Sequence, residues 1–284
     1  MTCSAPTQPC LARVEAPSPG PLVVALHCSG GTGRQWRWLA QSLHGTAPVL
    51  APDLLGTVQA GPWAGDGPFG LADEAAPILA AIDASSAPIH LVGHSYGGGL
   101  ALHVVAARPS RIASLSLYEP SAFHLLAAAT DPDGRAAYGE IREVARAVED
   151  GLVSGAYRRA AERFVDYWNG DGAWAGLKRS VQDDLVRYVP KVCLDFRALF
   201  GGSVTLDAYR SWRVPTLILQ GEHAPRPTAL IARKLRAAAP DHALRVVVPG
   251  AGHMGPLTHG EAVAGFVANH VRSAMASSAV RIAA

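Results

Sequence analysis

Three features of this sequence predict an α/β fold with a doubly wound, mostly parallel sheet and an all-helical insertion. Six short apolar runs lack the polar–apolar alternation of a half-exposed strand, so each reads as a strand buried on both faces. Longer segments with helical spacing fall between them, and that alternation is the pattern of a parallel sheet covered by helices. One long stretch, 121–212, breaks the rhythm and holds helical segments with no convincing strand.

The elements follow in chain order. Residues 1–20 are rich in Pro, Ser and Ala and read as a loose lead-in, with one edge strand around "CLARVEA". The buried strands are "PLVVALH" (21–27), "APVLAPD" (47–53), "IHLVGHS" (89–95), "ASLSLYE" (113–119), "TLILQGE" (216–222) and "LRVVVPG" (244–250). Helical spacing marks "RQWRWLAQSL", "LADEAAPILAAI", "GGLALHVVAARP", "TALIARKLRAAAP" and "EAVAGFVANHVRSAM". The insertion contains "GRAAYGEIREVARAVEDGL", "AYRRAAERFVDYW" and "VQDDLVRYVPKVCLDFRALF". Lying between two sheet strands, it is expected to form a cap over the C-terminal edge of the sheet. The core is then 21–120 with 213–275, the cap 121–212, and 276–284 a frayed tail.

Composition narrows the class. With 284 residues, 49% hydrophobic and 17% charged, the chain suits a globular protein with a large core. One α/β domain with an insertion fits that length, as would two small domains. A net charge of +2 and the lack of a Lys/Arg block give no reason to expect nucleic acid. No uninterrupted apolar stretch is long enough to span a bilayer. The first 21 residues lack a positive n-region followed by an apolar run, which makes a poor signal peptide. Cys3, Cys10, Cys28 and Cys193 show no C-x-x-C spacing and read as reduced thiols of a cytoplasmic protein. Nothing in the sequence sets an oligomeric state.

The strongest chemical signal is "GHSYG" (93–97), which closes one strand and opens an Ala/Gly-rich helix. A Gly-x-Ser-x-Gly turn in that context holds Ser95 in a strained conformation with its hydroxyl presented. Gly93 and Gly97 are needed where side chains would strike neighbouring backbone. The helix N-terminus beneath Ser95 favours a developing negative charge.

With this elbow, the strand order and the position of the insertion, the chain resembles the α/β-hydrolase superfamily from about residue 21 to 275. The resemblance implies a serine hydrolase needing no cofactor or metal. It places the catalytic histidine at His253, in "PGAGHMGPLTH" after the last strand, with His259 as a cap or pocket residue. It likens "LHCSGGTGRQW" (26–36) to the family's oxyanion loop, with Cys28 where glycine is usual. By matching position, the backbone N–H groups of Ser29 and Tyr96 would form the oxyanion hole. Two such donors contribute about 10²–10³ in rate each. The "GTG" of the same loop, with Asp53 some twenty residues on, faintly echoes a dinucleotide site, but Trp36 stands at the third glycine. His90 and His94 lie on a strand and elbow, a poor metal pair.

The acid is the open question. The family's usual strand–Gly–x–x–Asp turn reads here as "LILQGEHAPRPT" (217–228), with Gly221 present but Ala224 at the aspartate's place. Every strand of a parallel sheet ends on the same edge, so a carboxylate at another strand end can serve. Glu119, directly after the strand that follows Ser95, is the favoured candidate, and some family members place a Glu there. Glu222, Asp195 and Asp207 are the alternatives, as is the absence of any acid.

The expected reaction is hydrolysis of a small-molecule ester, thioester or lactone. Carbon–carbon bond hydrolysis, cofactor-free perhydrolysis and a non-catalytic ligand-binding role are the rivals. Among the insertion's aromatics, Trp168, Trp174 and Phe196, with Tyr167 and Phe200, either line an acyl pocket or form the cap's own core.

Overall fold

The computed structural model describes residues 20–283, with side chains through residue 277, so the expected lead-in strand lies outside the described residues. Six strands form: β1 (Leu22–Leu26), β2 (Val49–Leu50), β3 (Ile89–His94), β4 (Ile112–Tyr118), β5 (Thr216–Gly221) and β6 (Ala243–Val248). They pair in the order β2-β1-β3-β4-β5-β6, and every pairing is parallel. Eleven α-helices accompany them among the described residues: α1 (Arg37–Ser42), α2 (Leu71–Ala84), α3 (Tyr96–Ala107), α4 (His124–Ala127), α5 (Pro132–Val153), α6 (Tyr157–Asn169), α7 (Arg179–Phe200), α8 (Leu206–Ser211), α9 (Arg226–Ala238), α10 (Gly255–Thr258) and α11 (Gly260–Ala283).

Burial explains the unbroken apolar runs. β1, β3 and β5 are buried at every position. Side chains alternate across a sheet, so Leu22, Val24, Leu26, Leu91 and Ile218 enter one core with α2, α3 and α9. Val23, Ala25, Val92 and Leu219 enter the opposite core with Leu39 of α1 and Val263, Val267 and Val271 of α11.

Three expectations need correction. β2 is two residues long rather than the run 47–53. β6 is not buried throughout: Leu244 is 63% exposed and Val247 41%. It is the last strand of the sheet, and the flanking helices cover the centre before the margin. The tail expected to fray from 276 instead continues α11 to Ala283.

Helices α4 to α8 all lie between β4 and β5. α5 is capped by Asp131, whose carboxylate accepts the Gly134 N–H at 2.7 Å, with Pro132 in the first turn. Ile141, Val144 and Val148 of α5 share one face at helical spacing and pack into the same core as Ala160 and Val165 of α6. On α7, Tyr188, Val192, Phe196 and Leu199 are buried along one stripe. Among the described residues no helix is long and apolar enough to cross a membrane.

Buried histidines are expected to make this fold acid-sensitive. His90 of β3, 1% exposed, bonds Ser114 Oγ of β4 through Nδ1 at 2.8 Å, and burial lowers its pKa to about 4. The unfolded chain takes up that proton near pH 6.5, so between about pH 6.5 and 4 it binds a proton the folded chain refuses. Stability is therefore lost as pH falls through that window, by up to about 3 kcal/mol from this group. His27 and His94 are lowered by burial too and act in the same direction. The thermal midpoint is expected to drop from pH 7 to pH 5, and His90→Asn to show a shallower drop. An unchanged slope in that variant would remove His90 from the account.

Candidate active site

The elbow places Ser95 between the last residue of β3 and the first of α3, at φ 54°. A left-handed φ is costly for a residue with a side chain, about 1–3 kcal/mol, and it persists because the surroundings enforce it. A Cβ on Gly93 would lie 2.4 Å from the Gly97 carbonyl oxygen, so the turn closes only with glycine there. The Ser95 N–H donates to the Tyr118 carbonyl at 3.0 Å, and the Ser95 carbonyl accepts from the N–H groups of Gly98, Gly99 and Ser121. The elbow is thus bonded to β4 and to the chain just beyond it.

His253 comes from the loop after β6 and is 2% exposed. Its Nε2 lies 2.9 Å from Ser95 Oγ and its Nδ1 lies 2.7 Å from Glu119 Oε2. Glu119 directly follows β4, is fully buried, and adopts φ 41°. Its Oε1 accepts the Gly221 N–H at 2.9 Å, and its Oε2 also accepts the Thr228 hydroxyl at 2.9 Å. An ionised carboxylate only accepts, so Nδ1 must carry the imidazole proton. Nε2 is then left as the acceptor facing the Ser95 hydroxyl. The loop itself is held by the Tyr118 hydroxyl donating to the Gly252 carbonyl (2.7 Å) and by His94 Nε2 donating to the His253 carbonyl (2.8 Å). These bonds give His94 a packing role, and the Ser114 contact gives His90 one.

The other acids lie elsewhere. Glu222 is exposed and accepts the Gly250 N–H at 2.8 Å. Asp207 pairs with Arg210 on the surface. Asp195 is buried, but against Lys191 and Ser29.

Ser29 sits in the loop after β1. His27 anchors that loop, donating from Nδ1 to the Cys28 carbonyl (2.8 Å) and accepting the Leu54 N–H at Nε2 (2.9 Å). Accepting there requires a neutral ring, which is what burial enforces. Asp53 clamps the same loop by accepting the Gly33 N–H at 2.7 Å, a structural task for the residue that echoed a ribose ligand. Tyr96 is the first residue of α3, where an N–H has no acceptor within its own helix. Its hydroxyl donates to Glu74 at 2.9 Å.

A cavity of about 20 Å³ adjoins Ser95, lined among others by Ser29, Phe123, Trp168, Phe196 and Leu199. That is room for roughly one water. The Trp168 ring stacks on His253 with centroids 4.1 Å apart. Trp174, for which pocket and cap core both stood open, does not line this cavity. It is buried within the insertion, with the Arg158 guanidinium 5.7 Å over its ring and its main-chain N–H donating to Asp166 Oδ1. Phe200 packs on Phe123 and Phe196, and Tyr167 donates to Glu140. His259 bonds its neighbour Thr258.

Several neighbours of the site were not legible in the sequence. Ser121 Oγ lies 3.2 Å from Ser95 Oγ, and Thr228 reaches Glu119 from the start of α9. Lys191 of α7 bonds Glu74 of α2 at 2.9 Å and also Asp195. Burial raises the Asp195 pKa to about 6 despite Lys191. Burial works against the Lys191 charge as well, but two carboxylates outweigh it and hold the ammonium above its ordinary pKa. No local motif announces any of these contacts.

This geometry can move a proton from the Ser95 hydroxyl to His253 and stabilise the resulting imidazolium with Glu119. The comparisons with known proteins agree with such a fold. The family described as "Alpha/beta hydrolase family" matches residues 23–266, and the chain belongs to that family. It is similar to Lipase LipV of Mycobacterium tuberculosis, 34% identical over 168 residues, 59% of this chain and 56% of that protein. The chain thus spans about half the length of that relative. Among solved structures it resembles MGS-M2, an alpha/beta hydrolase enzyme from a Medee basin deep-sea metagenome library, with TM-score 0.73, 14% identity and coverage of 88% of this chain and 89% of that one. A thermophilic esterase from Thermogutta terrifontis superposes with TM-score 0.62 at 19% identity, covering 91% and 92%. At such identities the structural likeness is one of fold.

Proposed function

We propose that this protein is a serine hydrolase that cleaves a carboxylic ester, thioester or lactone through an acyl-enzyme. The observation that carries the reading is the unbroken hydrogen-bonded series from Ser95 Oγ through both His253 nitrogens to Glu119. Family membership and the similarity to a lipase support it.

Ser95 Oγ attacks the carbonyl carbon as its proton passes to His253 Nε2. The carbonyl oxygen takes the electron pair and is received by the N–H groups of Ser29 and Tyr96. Collapse re-forms the carbonyl and expels the alcohol or thiol, which takes the proton back from Nε2. Water then attacks the acyl-enzyme in the same manner, giving the acid and free Ser95. No step calls for a cofactor.

A fluorophosphonate probe tests this reading. The adduct is expected on the peptide containing "GHSYGGG", at Ser95 alone. Folded protein that stays unlabelled, or is labelled elsewhere, would sink the enzyme reading.

Helices α4 to α8 act in this reading as the cap that sets substrate choice. Trp168 and Phe196 close the space beside Ser95, so a long acyl chain needs their displacement. Trp168→Ala is expected to raise kcat/KM for propanoate esters about tenfold relative to acetate, since one further methylene in a pocket is worth about 1–3 kcal/mol. Equal loss on every chain length in a folded variant would show that Trp168 serves His253 and not the acyl group.

A further inference from the structure

Both residues that supply the proposed oxyanion donors are tied, through their side-chain hydroxyls, to opposite ends of one buried ion triad. The Ser29 hydroxyl donates to Asp195 Oδ2, and the Tyr96 hydroxyl donates to Glu74 Oε2 at 2.9 Å. Lys191 joins the two carboxylates, donating to Glu74 Oε2 at 2.9 Å and to Asp195 Oδ1. The side chains of Lys191, Glu74 and Asp195 are 5%, 1% and 3% exposed. The ammonium also lies 4.6 Å over the Tyr96 ring and 4.8 Å over that of Phe69. Glu74 is fixed to the core by the Leu55 N–H at 2.8 Å.

The placement of these groups matters. Glu74 belongs to α2, Tyr96 opens α3, Ser29 lies after β1, and Lys191 and Asp195 sit one turn apart on α7 of the insertion. Burying two carboxylates and one ammonium is costly, and apolar side chains of the same volume often do as well for stability. The proton path through Ser95, His253 and Glu119 does not use the triad. What it touches are the two residues whose main-chain N–H groups must converge on one oxygen. Donors of that kind act only within a few tenths of an ångström of the right position.

We infer that Lys191 is a positioning residue, and that the Glu74–Lys191–Asp195 triad sets the separation of the Ser29 and Tyr96 N–H groups while α7 is docked on the core. The inference rests on the serine-hydrolase reading. It makes α7 serve two tasks at once, since Val192, Phe196 and Leu199 of the same helix line the cavity beside Ser95.

The experiment removes the tethers and leaves the donors. Ser29→Ala and Tyr96→Phe each delete one hydroxyl and no main-chain N–H, and Lys191→Met removes the joining charge. With p-nitrophenyl acetate, Ser29→Ala and Tyr96→Phe are each expected to lower kcat about tenfold with KM within about twofold. That is less than the roughly 10²–10³ lost when a donor is deleted and within the roughly 10² that a 1 Å misplacement costs. The rate of fluorophosphonate labelling should fall in parallel. Ser29→Ala added to Lys191→Met should slow the enzyme little beyond Lys191→Met alone, because both act through the same link. A purely structural triad would instead lower the thermal midpoint and leave kcat of the folded variants unchanged, and that result overturns the inference. Fully multiplicative effects in the double variant overturn it as well. Should Lys191→Met fail to fold with two carboxylates stranded, the two hydroxyl variants decide alone: kcat reduced in both supports the tethers, and wild-type kcat in either overturns them. Labelled wild type with unchanged rates in the variants removes the triad's role and leaves the hydrolase reading standing. An unlabelled wild type removes both.

Discussion

Glu119→Gln is expected to lower kcat by about 10⁴ while leaving substrate binding nearly unchanged. The carboxylate accepts three hydrogen bonds, from Gly221 N–H, the Thr228 hydroxyl and His253 Nδ1. Glutamine has one acceptor oxygen and an NH₂ group that only donates. If its oxygen keeps the Gly221 N–H, the NH₂ faces His253 and forces the ring into the tautomer protonated on Nε2. That nitrogen can then no longer accept the Ser95 proton. The lost charge also withdraws support from the imidazolium of the transition state. Glu222→Gln should stay within roughly tenfold, because Glu222 holds only a surface N–H. Ala224→Asp in the Glu119→Gln background should recover part of the activity, since Ala224 follows β5 beside the same loop and its N–H closes the turn on Gly221 at 3.2 Å. Steady-state kinetics on one ester reads all four proteins. A fully active Glu119→Gln enzyme would show that the short contact to His253 is structural only, and Glu222 would become the next residue to test.

The second large effect is expected from a single methyl group. A Cβ on Gly97 would lie 2.4 Å from the Leu26 carbonyl oxygen and 2.6 Å from that of His27. Both atoms are backbone, and both lead straight into the loop that carries Ser29. Either α3 backs away from β1 or that loop moves. Gly97→Ala should therefore cost about 3 kcal/mol of stability, as overpacking of a tight core does. It should also lower kcat by about 10² in the protein that remains folded, through displacement of the proposed oxyanion donors. Gly265→Ala on α11 is the matched control, because nothing lies within 4 Å of a Cβ there. It should be neutral or stabilising by up to about 1 kcal/mol. Urea unfolding and kcat measured on both variants check the contrast. Similar behaviour of the two would refute the close approach of α3 to β1.

Acid sensitivity and positioning meet in the same elements. His27 accepts a main-chain N–H only while neutral, and it anchors the loop that bears Ser29. Protonation at low pH would break that bond. The loop that bears Ser29 is therefore expected to loosen as pH falls, the same direction as argued for His90.

Local chemistry was legible without coordinates. The strands β1, β3, β4 and β5 declared themselves by unbroken apolar runs, because a strand covered on both faces has no polar side to show. Ser95 and its flanking glycines were legible for a similar reason: the elbow's strain and its close backbone approaches are properties of five consecutive residues. His253 came from the resemblance to the α/β-hydrolase superfamily, which places a histidine in the loop after the final strand.

What the sequence left open were the matters decided by which elements become neighbours. Glu119 and Glu222 both end strands on one edge of the sheet, and no local pattern separates them. The pairing of Tyr118 with Leu219 brings Glu119 to the Gly221 N–H, to Thr228 and to His253, while Glu222 turns out to Gly250. Helical spacing covered Trp168 and stopped short of Trp174, and it did not show which of the two covers His253, since that depends on how α6 lies against the core. Lys191 and Glu74 stand 117 positions apart, and each alone reads as an ordinary charge on a helix. Periodicity and turns depend on bonds between near residues, so a sequence carries them openly. The partner of a buried carboxylate depends on strand order and helix docking, which exist only once the whole chain has packed.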